Sequence, residues 1–452
     1  MQDFTTGPLP RHLLKTSGFM LVTMVLQTLY VLVDLYWVGR IGTQAIAAVA
    51  ISGNLMFIVL AATQMLGVGT TTLVSHAVGR KDHVRAVLVF NQAQALSMVV
   101  GVVFLVVVMA FRVPYATQMS ADAETAQLAA DYLFWFIPAM ALQFALVAIG
   151  AALRGVGNFK VGSVVGAVTI LINLVLAPFL MFGWLTGRPL GIAGAAIASL
   201  VAIVAGILWL VVYFIPRESY LTLAWRQWKP QLDLWRDLLK IGLPAGAEFA
   251  LMAVYLFMVY VVSRPFGAAA QAGFGIGGRV LQACFMPAVA LGFSAAPVAG
   301  QNFGARQAQR VKDTFRTAAL MAGSVMMLTA MCFWLFPGPI IRVFSADPQA
   351  ISVGTEYLTI IAFSFVASGI VFVTSSMFQA VGNTIPPLVS SATRIVLIAV
   401  PLFLLARLPG FQLAWVWYLS VAGVWIHLGL NLFLLRREFR LKLNFGATPA
   451  AV

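Results

Sequence analysis

The sequence predicts an all-α polytopic membrane protein with twelve transmembrane helices, arranged as two parallel six-helix repeats. Three observations lead to this fold class: an apolar composition, twelve apolar segments of membrane-spanning length, and an internal repeat. Of the 452 residues, 61% are hydrophobic and only 9% are charged, whereas an average soluble domain has about 25% charged residues. Because a chain this apolar has too little polar surface to face water, lipid must surround most of it.

Twelve segments of the chain are long and apolar enough to cross a bilayer, which takes about 20 mostly apolar residues. Glycine, proline and charged residues mark the turns between them. The predicted spans cover residues 15–38, 45–74, 87–111, 128–152, 161–183, 191–215, 238–262, 270–298, 315–337, 354–380, 386–406 and 412–435. We place the first six spans in an N-terminal lobe, residues 1–215, and the last six in a C-terminal lobe, residues 238–452. A cytoplasmic linker, residues 216–237, joins the lobes.

The two halves of the sequence match without a gap at an offset of 225 residues, so that Gly42 and Gly53 return as Gly267 and Gly278. Apolar helices resemble one another by composition alone, but matched glycine, asparagine and acidic positions indicate a duplication. Because each repeat has six spans, the second enters the membrane from the same side as the first, and the repeats are parallel. A substrate site is then expected between them near the membrane midplane, with alternating access by rocking of the lobes.

Lysine and arginine residues are unevenly distributed between alternate loops. Twenty of the 28 lie in segments assigned to one side, six lie in loops on the other side, and two, Arg279 and Arg394, lie within spans. Since positive residues are retained on the cytoplasmic side, both termini are predicted to be cytoplasmic. The compact loops fit a bacterial inner membrane. The net charge of +14 therefore reflects topology, and no nucleic-acid partner is expected.

The sequence shows none of the patterns expected of an enzyme. Its four histidines are scattered, its two cysteines lie inside apolar segments, and no glycine-rich phosphate loop is present. We therefore expect no metal, no cofactor and no ATP hydrolysis, and transport driven by an ion gradient remains. A channel is a further possibility, and it would need no coupling carboxylate.

The inner loop after the second span and its copy in the second half carry a paired motif. The first reads Gly67-Val-Gly-Thr-Thr-Thr-Leu-Val-Ser-His-Ala-Val-Gly79, and the copy reads Gly292-Phe-Ser-Ala-Ala-Pro-Val-Ala-Gly-Gln-Asn-Phe-Gly304. With Asp34, the turn Arg154-Gly-Val-Gly-Asn158, its copy Gln379-Ala-Val-Gly-Asn383 and Gly242-Leu-Pro244, these segments resemble the multidrug and toxic compound extrusion (MATE) family, in its NorM- and DinF-like branches. The resemblance covers about residues 11 to 440.

The resemblance to MATE transporters implies two six-helix lobes around a V-shaped cavity. It also implies a secondary active antiporter that exports amphipathic, often cationic organic compounds in exchange for inward-moving H+ or Na+. The expected partners are small organic cations and the lipid bilayer, and the protein is expected to be a monomer. A lipid-linked saccharide flippase of related architecture is the alternative, although such proteins usually have more spans and a more cationic cavity.

Asp34 and Glu248 are the acidic residues that lie well within predicted spans, where an ionisable group is costly enough to indicate function. Asp34 shares a helical face with Gln27 and Tyr30 and matches the family's first-helix aspartate, which implies a part in ion binding. The alternative for Asp34 is a structural carboxylate held by hydrogen bonds near the outer end of the helix.

The resemblance also implies ion-coupling roles for Asn173 on the fifth span and Ser199 on the sixth. The chain departs from the family pattern at Ala177, where family members often have an aspartate. A site of Asp34, Asn173 and Ser199 has one formal charge. This favours H+, which needs one acceptor, over Na+, which needs several oxygen ligands.

Glu248 lies roughly 12 Å deep in the seventh span, about eight residues past Lys240 at 1.5 Å per residue. Some branches of the family have an acid on this helix, often about a turn further along, where this chain has Met252. Arg394 is about as deep in the eleventh span, which predicts a Glu248–Arg394 ion pair. Glu248 could belong to a static pair or to a substrate or proton site, and both remain open, as do the roles of Arg279 and His427.

Residues that line a substrate cavity are predicted on faces that aromatic or methionine side chains share with polar groups. Aromatic rings attract cations, and methionine adapts to varied apolar shapes. The cavity residues predicted on this basis are Gln27, Tyr30, Met252 and Tyr255.

Overall fold

The structure is a computed structural model that describes residues 2–184, 187–214 and 220–445. Within these ranges the regular structure is helical throughout, and twelve helices are long and apolar enough to cross a membrane. The predicted number of spans is therefore confirmed. The helices, numbered α1 to α12 in chain order, are Leu9–Gly39, Thr43–Gly79, His83–Met119, Ala123–Gly155, Phe159–Phe182, Ile192–Phe214, Leu232–Phe266, Ala268–Gly304, Ala308–Leu335, Pro348–Ala380, Ile385–Leu405 and Leu413–Lys442. Residues 215–219 of the predicted sixth span and linker, and residues 446–452 of the predicted C-terminal lobe, lie outside the described residues.

Several helices extend past the apolar segments that predicted them. The third predicted span, residues 87–111, is observed as His83–Met119 and includes Pro114. Two other spans contain breaks: α2 is divided at Asn54, and a 3-10 turn at Ala362–Ser364 interrupts α10. A hydropathy pattern marks the part of a helix that lies in hydrocarbon, whereas the backbone hydrogen bonds continue into the polar ends.

Aspartate side chains cap the first turns of α3 and α4. Asp82 accepts a hydrogen bond from the backbone N–H of Arg85 at 2.9 Å, and Asp122 accepts one from the N–H of Thr125 at 2.7 Å. Both replace the acceptors that first-turn N–H groups lack. Asp122 also accepts from the Thr125 hydroxyl at 2.9 Å. These backbone and side-chain hydrogen bonds lower the pKa of Asp122 below its ordinary value, so this carboxylate is ionised at neutral pH.

The residues cluster into two compact units. Unit 1 is Met1–Asp3 with Phe19–Gly246, and unit 2 is Phe4–Gly18 with Ala247–Val452. Unit 1 thus holds α2 to α6, most of α1 and the first part of α7. Unit 2 holds α8 to α12, the rest of α7 and the start of α1. These units are defined by contacts, whereas the lobe boundaries were inferred from the repeat and remain a prediction.

The core of unit 1 is built around α4, which packs against α2, α3 and α6. Leu133, Ile137 and Phe144 on α4 are fully buried. Phe144 meets Phe104 of α3 edge to face, with 5.4 Å between ring centroids. These aromatic and branched side chains fix α4 at the centre of the unit.

The segment that precedes α7 is bound to α3 by two fully buried amide side chains, Asn91 and Gln92. The Asn91 amide donates to the Thr222 carbonyl at 2.9 Å, and its oxygen accepts from the Ala224 N–H at 2.9 Å. Gln92 and the linker are joined through the carbonyls of Gln227 and Lys229 and the N–H of Gln231. The described part of the linker is therefore a fixed element of unit 1.

In unit 2 the residues before α1 belong to the packed structure. The Phe4 side chain is fully buried, and its N–H donates to the side-chain oxygen of Gln301 at 3.0 Å. The Phe4 carbonyl accepts from the Asn302 amide at 3.1 Å and from Arg310 at 3.0 Å. The core of the unit lies further along, where Phe274 stacks on Trp417 with 5.2 Å between ring centroids.

Helix α2 and the first part of α7 are in backbone contact within unit 1. A β-carbon added at Gly69 would lie 2.5 Å from the Leu238 carbonyl oxygen, and one added at Gly242 would overlap the Met65 carbonyl oxygen. Small residues allow such close approach of membrane helices. Gly242 is therefore required by packing, since its neighbour is backbone and cannot rotate away.

We expect Gly242→Ala to destabilise unit 1 by about 1–3 kcal/mol, because the added methyl group must push α2 and α7 apart. The measurement is the thermal unfolding midpoint of purified protein in detergent. Gly162→Ala on α5 is the matched control, since no atom lies within 4 Å of a β-carbon at that position. Equal midpoints for the two variants would contradict the packing argument.

Candidate functional site

The first polar cluster lies inside unit 1, on the face of α1 that the sequence singled out. Gln27, Tyr30 and Asp34 follow one another along this face at helical spacing. Tyr30 and Asp34 are half-buried, whereas Gln27 is exposed. The predicted face is therefore exposed at Gln27 and partly covered by protein at Tyr30 and Asp34.

Hydrogen bonds join three of the predicted site residues. The Tyr30 hydroxyl lies 3.3 Å from the Ser199 hydroxyl of α6, and the Asn173 amide of α5 donates to the same oxygen at 2.9 Å. Asn173 and Ser199 are 4% and 6% exposed, so this hydroxyl connects three helices away from solvent. The structure thus brings Asn173 and Ser199 into contact, and Asp34 lies near enough to Tyr30 to interact with it electrostatically.

Asp34 has no hydrogen-bond partner among the described residues, and its Oδ1 atom is buried. The side-chain oxygen of Asn173 is likewise buried and unpartnered. Buried polar atoms nearly always have a partner, and each exception requires an explanation. The structure therefore offers no protein donor for the alternative of a carboxylate held in place by hydrogen bonds, and the role of Asp34 stays a prediction. Two unsatisfied acceptors in one cluster can receive a proton or a cation.

Ala177 confirms that the cluster lacks a second carboxylate on α5. It lies one turn after Asn173, is 2% exposed, and packs in an apolar cluster with Met181 and Ala198. Within unit 1 the charge of this site therefore comes from Asp34 alone. Tyr132 of α4 is close enough to interact electrostatically with Asp34 and Tyr30.

A second polar cluster lies inside unit 2, around Glu248 of α7. One carboxylate oxygen of Glu248 accepts from the Ser375 hydroxyl of α10 at 3.0 Å and from the Ser391 hydroxyl of α11 at 3.3 Å. In contrast to Asp34, this carboxylate is supplied with donors. The two serines come from different helices, so Glu248 also ties three helices together.

His427 of α12 extends this cluster. Its Nε2 atom lies 3.4 Å from the Ser391 hydroxyl and 3.3 Å from the Asn431 amide nitrogen. Asn431 in turn accepts from Ser390 at 2.7 Å. The other ring nitrogen of His427, Nδ1, is buried without a partner in the described chain. The polar chain runs from Glu248 through Ser391 and His427 to Asn431.

The predicted Glu248–Arg394 ion pair is wrong. Among the described residues the ion pair that forms joins Lys442 and Glu438 at 3.1 Å. Arg394 instead lies over the ring of Tyr255, with 5.1 Å from its guanidinium carbon to the ring centroid. The two side chains have different neighbours: serine hydroxyls donate to Glu248, and the Arg394 guanidinium packs on the Tyr255 ring.

The predicted cavity residues differ in their surroundings. Tyr30 is bound to Ser199, and the Tyr255 hydroxyl lies 2.8 Å from the Ser420 hydroxyl of α12. Met252 is 59% exposed, and Gln27 is exposed as well. The part that each plays in a substrate cavity stays a prediction. No group of three or more His, Cys, Asp or Glu residues in the described ranges could hold a metal ion.

Sequence reasoning missed the residues that bind the charged groups. Ser375, Ser391 and Tyr132 carry no charge and match no motif, so nothing distinguished them from other small or aromatic residues within spans. On α12 a signal was present: Ser420, His427 and Asn431 recur at helical spacing and share one face. A search for polar stripes on otherwise apolar helices would have found them.

Comparison with known proteins relates most of the chain to one family. The family described as MatE matches residues 20–179 and 244–405, which places one copy of the family pattern in each predicted lobe. The probable multidrug resistance protein YoeA of Bacillus subtilis is 28% identical over 414 residues, covering 90% of this chain and 87% of that protein. The multidrug export protein MepA of Staphylococcus haemolyticus is 26% identical over 369 residues, 80% of each chain.

Solved structures show the same fold. A crystal structure of MATE in the bent conformation superimposes with a TM-score of 0.92 at 22% identity and covers 98% of both chains. An outward-facing multidrug resistance MATE family transporter of the MOP superfamily gives a TM-score of 0.88 at 22% identity, over 99% of this chain and 98% of that one.

We expect Ser199→Ala to destabilise the protein, because the buried Asn173 amide loses its acceptor at a cost of about 1–3 kcal/mol. The thermal unfolding midpoint in detergent measures the loss. Thr117→Ala is the matched control, since this exposed hydroxyl bonds only the carbonyl of Val113 in its own helix. A midpoint unchanged in both variants would show that the hydroxyl of Ser199 does not hold the cluster together.

Proposed function

This chain belongs to the MATE family, and from that premise we propose that it is a secondary active multidrug efflux antiporter coupled to H+. It exports amphipathic, cationic organic compounds by alternating access, while protons move inward through the site at Asp34. As a member of this family the protein is a transporter and not an enzyme. The names of its relatives, a multidrug resistance protein and a multidrug export protein, support the substrate class.

One observation carries the coupling proposal: Asp34 is a carboxylate within a membrane span that has no hydrogen-bond partner in the described chain. A permanently charged carboxylate without donors would be costly in this environment. A group that binds and releases a proton avoids that cost in one of its two states. The unsatisfied state is then one step of the transport cycle, and the protonated state is the other.

The choice of H+ over Na+ rests on the number of ligands. A sodium ion needs several oxygen ligands, whereas Asp34 and Asn173 are the two residues of this cluster with side-chain oxygens that lack a partner in the described chain. The Ser199 hydroxyl already accepts from Asn173, and Ala177 offers no oxygen from its side chain. A proton needs only one acceptor, which Asp34 provides.

Glu248 is a second candidate for ion coupling, in unit 2. Its carboxylate already accepts two hydroxyl hydrogen bonds, which stabilise the ionised form. Asp34 has none, so protonation relieves a larger cost there. We therefore assign the primary coupling role to Asp34, and a supporting role to Glu248.

The protein is proposed to lie in a bacterial inner membrane with both termini in the cytoplasm. This rests on the excess of Lys and Arg in alternate loops of the sequence. Lys81, Arg85, Arg306 and Arg310 fall on the proposed cytoplasmic side, and Arg188 and Arg407 fall on the outer side.

Uptake into vesicles tests the coupling ion. The purified protein is reconstituted, and uphill uptake of a fluorescent organic cation is measured under an imposed H+ gradient or an imposed Na+ gradient. We expect uptake with the H+ gradient alone and its loss in Asp34→Asn, because an amide cannot bind the proton. Asp131→Asn is the control, since that carboxylate is exposed and pairs with Gln127 on the same helix.

The other outcomes each have a defined meaning. Uphill uptake driven by the Na+ gradient alone would overturn the choice of H+ as coupling ion. It would show that a cation site forms without an acid at position 177. Downhill conduction that survives Asp34→Asn would indicate a channel. No uphill movement under either gradient would overturn the antiporter proposal and lead to flippase assays with labelled lipid-linked saccharides.

Reporter fusions test the proposed orientation. A cytoplasm-active fluorescent protein fused after residue 452 should fluoresce, whereas a periplasm-active phosphatase at the same position should be inactive. Fusions truncated after Arg188 should show the reverse, since an outer loop is exported. The opposite pattern would invert the topology.

A further inference from the structure

The interior of unit 2 contains an arginine that makes no hydrogen bond or ion pair within the described chain. We propose that Arg394 is the residue that binds the carboxylate of transported amphiphiles that carry one, and that it discriminates them from analogues without this charge. The inference rests on the proposed function and names a specificity-determining residue for it.

Arg394 has no hydrogen-bond or ion-pair partner in the described chain. Its Nε atom is buried and unpartnered, and the ion pair found among the described residues lies elsewhere, between Lys442 and Glu438. The side chain as a whole is half-buried, so its terminal nitrogens remain accessible. A guanidinium carries five N–H donors in a fixed plane, and here none of them is used.

Neighbouring side chains hold Arg394 in one place. Its guanidinium lies over the Tyr255 ring, and the Tyr255 hydroxyl is fixed by Ser420. The arginine stem packs beside Gly423 of α12, where a β-carbon would lie in ordinary contact with its Cγ atom at 3.7 Å. A cation attracted to a ring face through its charge consumes no N–H group. The donors are therefore oriented and still available.

The other groups around Arg394 do not supply a negative charge. Tyr255, Ser420 and Gly423 are neutral, and His427, which interacts electrostatically with Arg394, is neutral or cationic. Glu248 is the one acid of this cluster among the described residues, and two serine hydroxyls bind its carboxylate. Arg394 therefore makes no ion pair with the acid of its own cluster.

The chemistry of the guanidinium selects the ligand. Its planar fork matches a carboxylate or a phosphate with two parallel hydrogen bonds. One arginine balances one negative charge, which favours a carboxylate over a doubly charged phosphate. A carboxylate bound here would complete the ion pair that Glu248 does not make.

This arrangement also changes the expected role of Tyr255. The sequence suggested that its ring attracts a substrate cation, but in this structure Arg394 already occupies the ring. A substrate cation near this ring would be repelled by the guanidinium. In unit 2, Tyr255 acts instead as a support that orients Arg394.

A matched pair of dyes tests the proposal. The first is a cationic xanthene dye with a free carboxylate, and the second is its methyl ester, which keeps the cation and the shape but loses the negative charge. Equilibrium binding to purified protein in detergent and uptake into vesicles are measured for the native protein, Arg394→Gln, Arg394→Lys and Arg279→Gln. Arg279 lies within α8 of the same unit, so its variant controls for removal of an in-span arginine.

We expect Arg394→Gln to weaken binding of the carboxylate dye about tenfold or more, as for loss of a charged hydrogen bond. Binding of the ester should change less than about twofold by the same reasoning, since it makes no such bond. Arg394→Lys should retain part of the preference because it keeps the charge without the fork. Arg279→Gln should leave the ratio of the two affinities unchanged. Thermal unfolding midpoints identify variants that are misfolded. If Arg394→Gln is misfolded, the affinities of the two dyes are compared between the native protein and Arg394→Lys.

Two results would overturn the inference: equal weakening of both dyes in Arg394→Gln, or no change for either. A preference for an amphiphilic phosphate monoester over the carboxylate, lost in the same variant, would retain the oxyanion site but overturn the choice of carboxylate. Failure of the proposed function is distinguishable, because it abolishes uphill uptake of both dyes while the binding ratio is still measured.

Discussion

Inside a bilayer no water is available to satisfy polar groups, and this constraint determines both the fold and the site. The backbone meets it by forming helices, which is why twelve long helices make up the described spans. Side chains meet it through small networks, such as the serines that bind Glu248. Asp34 and Arg394 do not meet it within the described chain. Because an unmet polar group costs free energy, we propose that a transported ion or molecule supplies the missing partner at these two residues.

The two repeats have kept a common scaffold and diverged in charge. Tyr30 and Tyr255 occupy equivalent positions, 225 residues apart, and each tyrosine hydroxyl lies next to a serine of the last helix in its repeat. The position equivalent to Asp34 is Val259, which is buried, and the position equivalent to Arg394 is Thr169. Each copy therefore has one charged residue without a direct partner in the described chain near this tyrosine, negative in unit 1 and positive in unit 2.

Composition and periodicity predicted the spans well, because transfer of apolar residues into lipid is a property of short segments and needs no tertiary information. They also singled out Asp34, since an acid within a span is conspicuous, whereas Asn173 and Ser199 were implied by the resemblance to the MATE family. The Glu248–Arg394 pair failed because depth along two helices does not determine the direction in which each side chain points around its helix. The hydrogen bonds from Asn91 and Gln92 to the linker could not be predicted either, since an amide residue in a sequence does not reveal which groups it will bond.

The linker shows that a polar segment between two halves of a chain need not be flexible. Its described backbone is bound by Asn91 and Gln92 through five hydrogen bonds, to the backbone groups of Thr222, Ala224, Gln227, Lys229 and Gln231. Tolerance of an inserted domain depends on the bonding of the backbone that it interrupts. A fluorescent protein or affinity module placed in this segment would displace it from α3. The long polar stretch between the halves, which looks like the natural permissive site in the sequence, is therefore a poor place to split or tag this transporter.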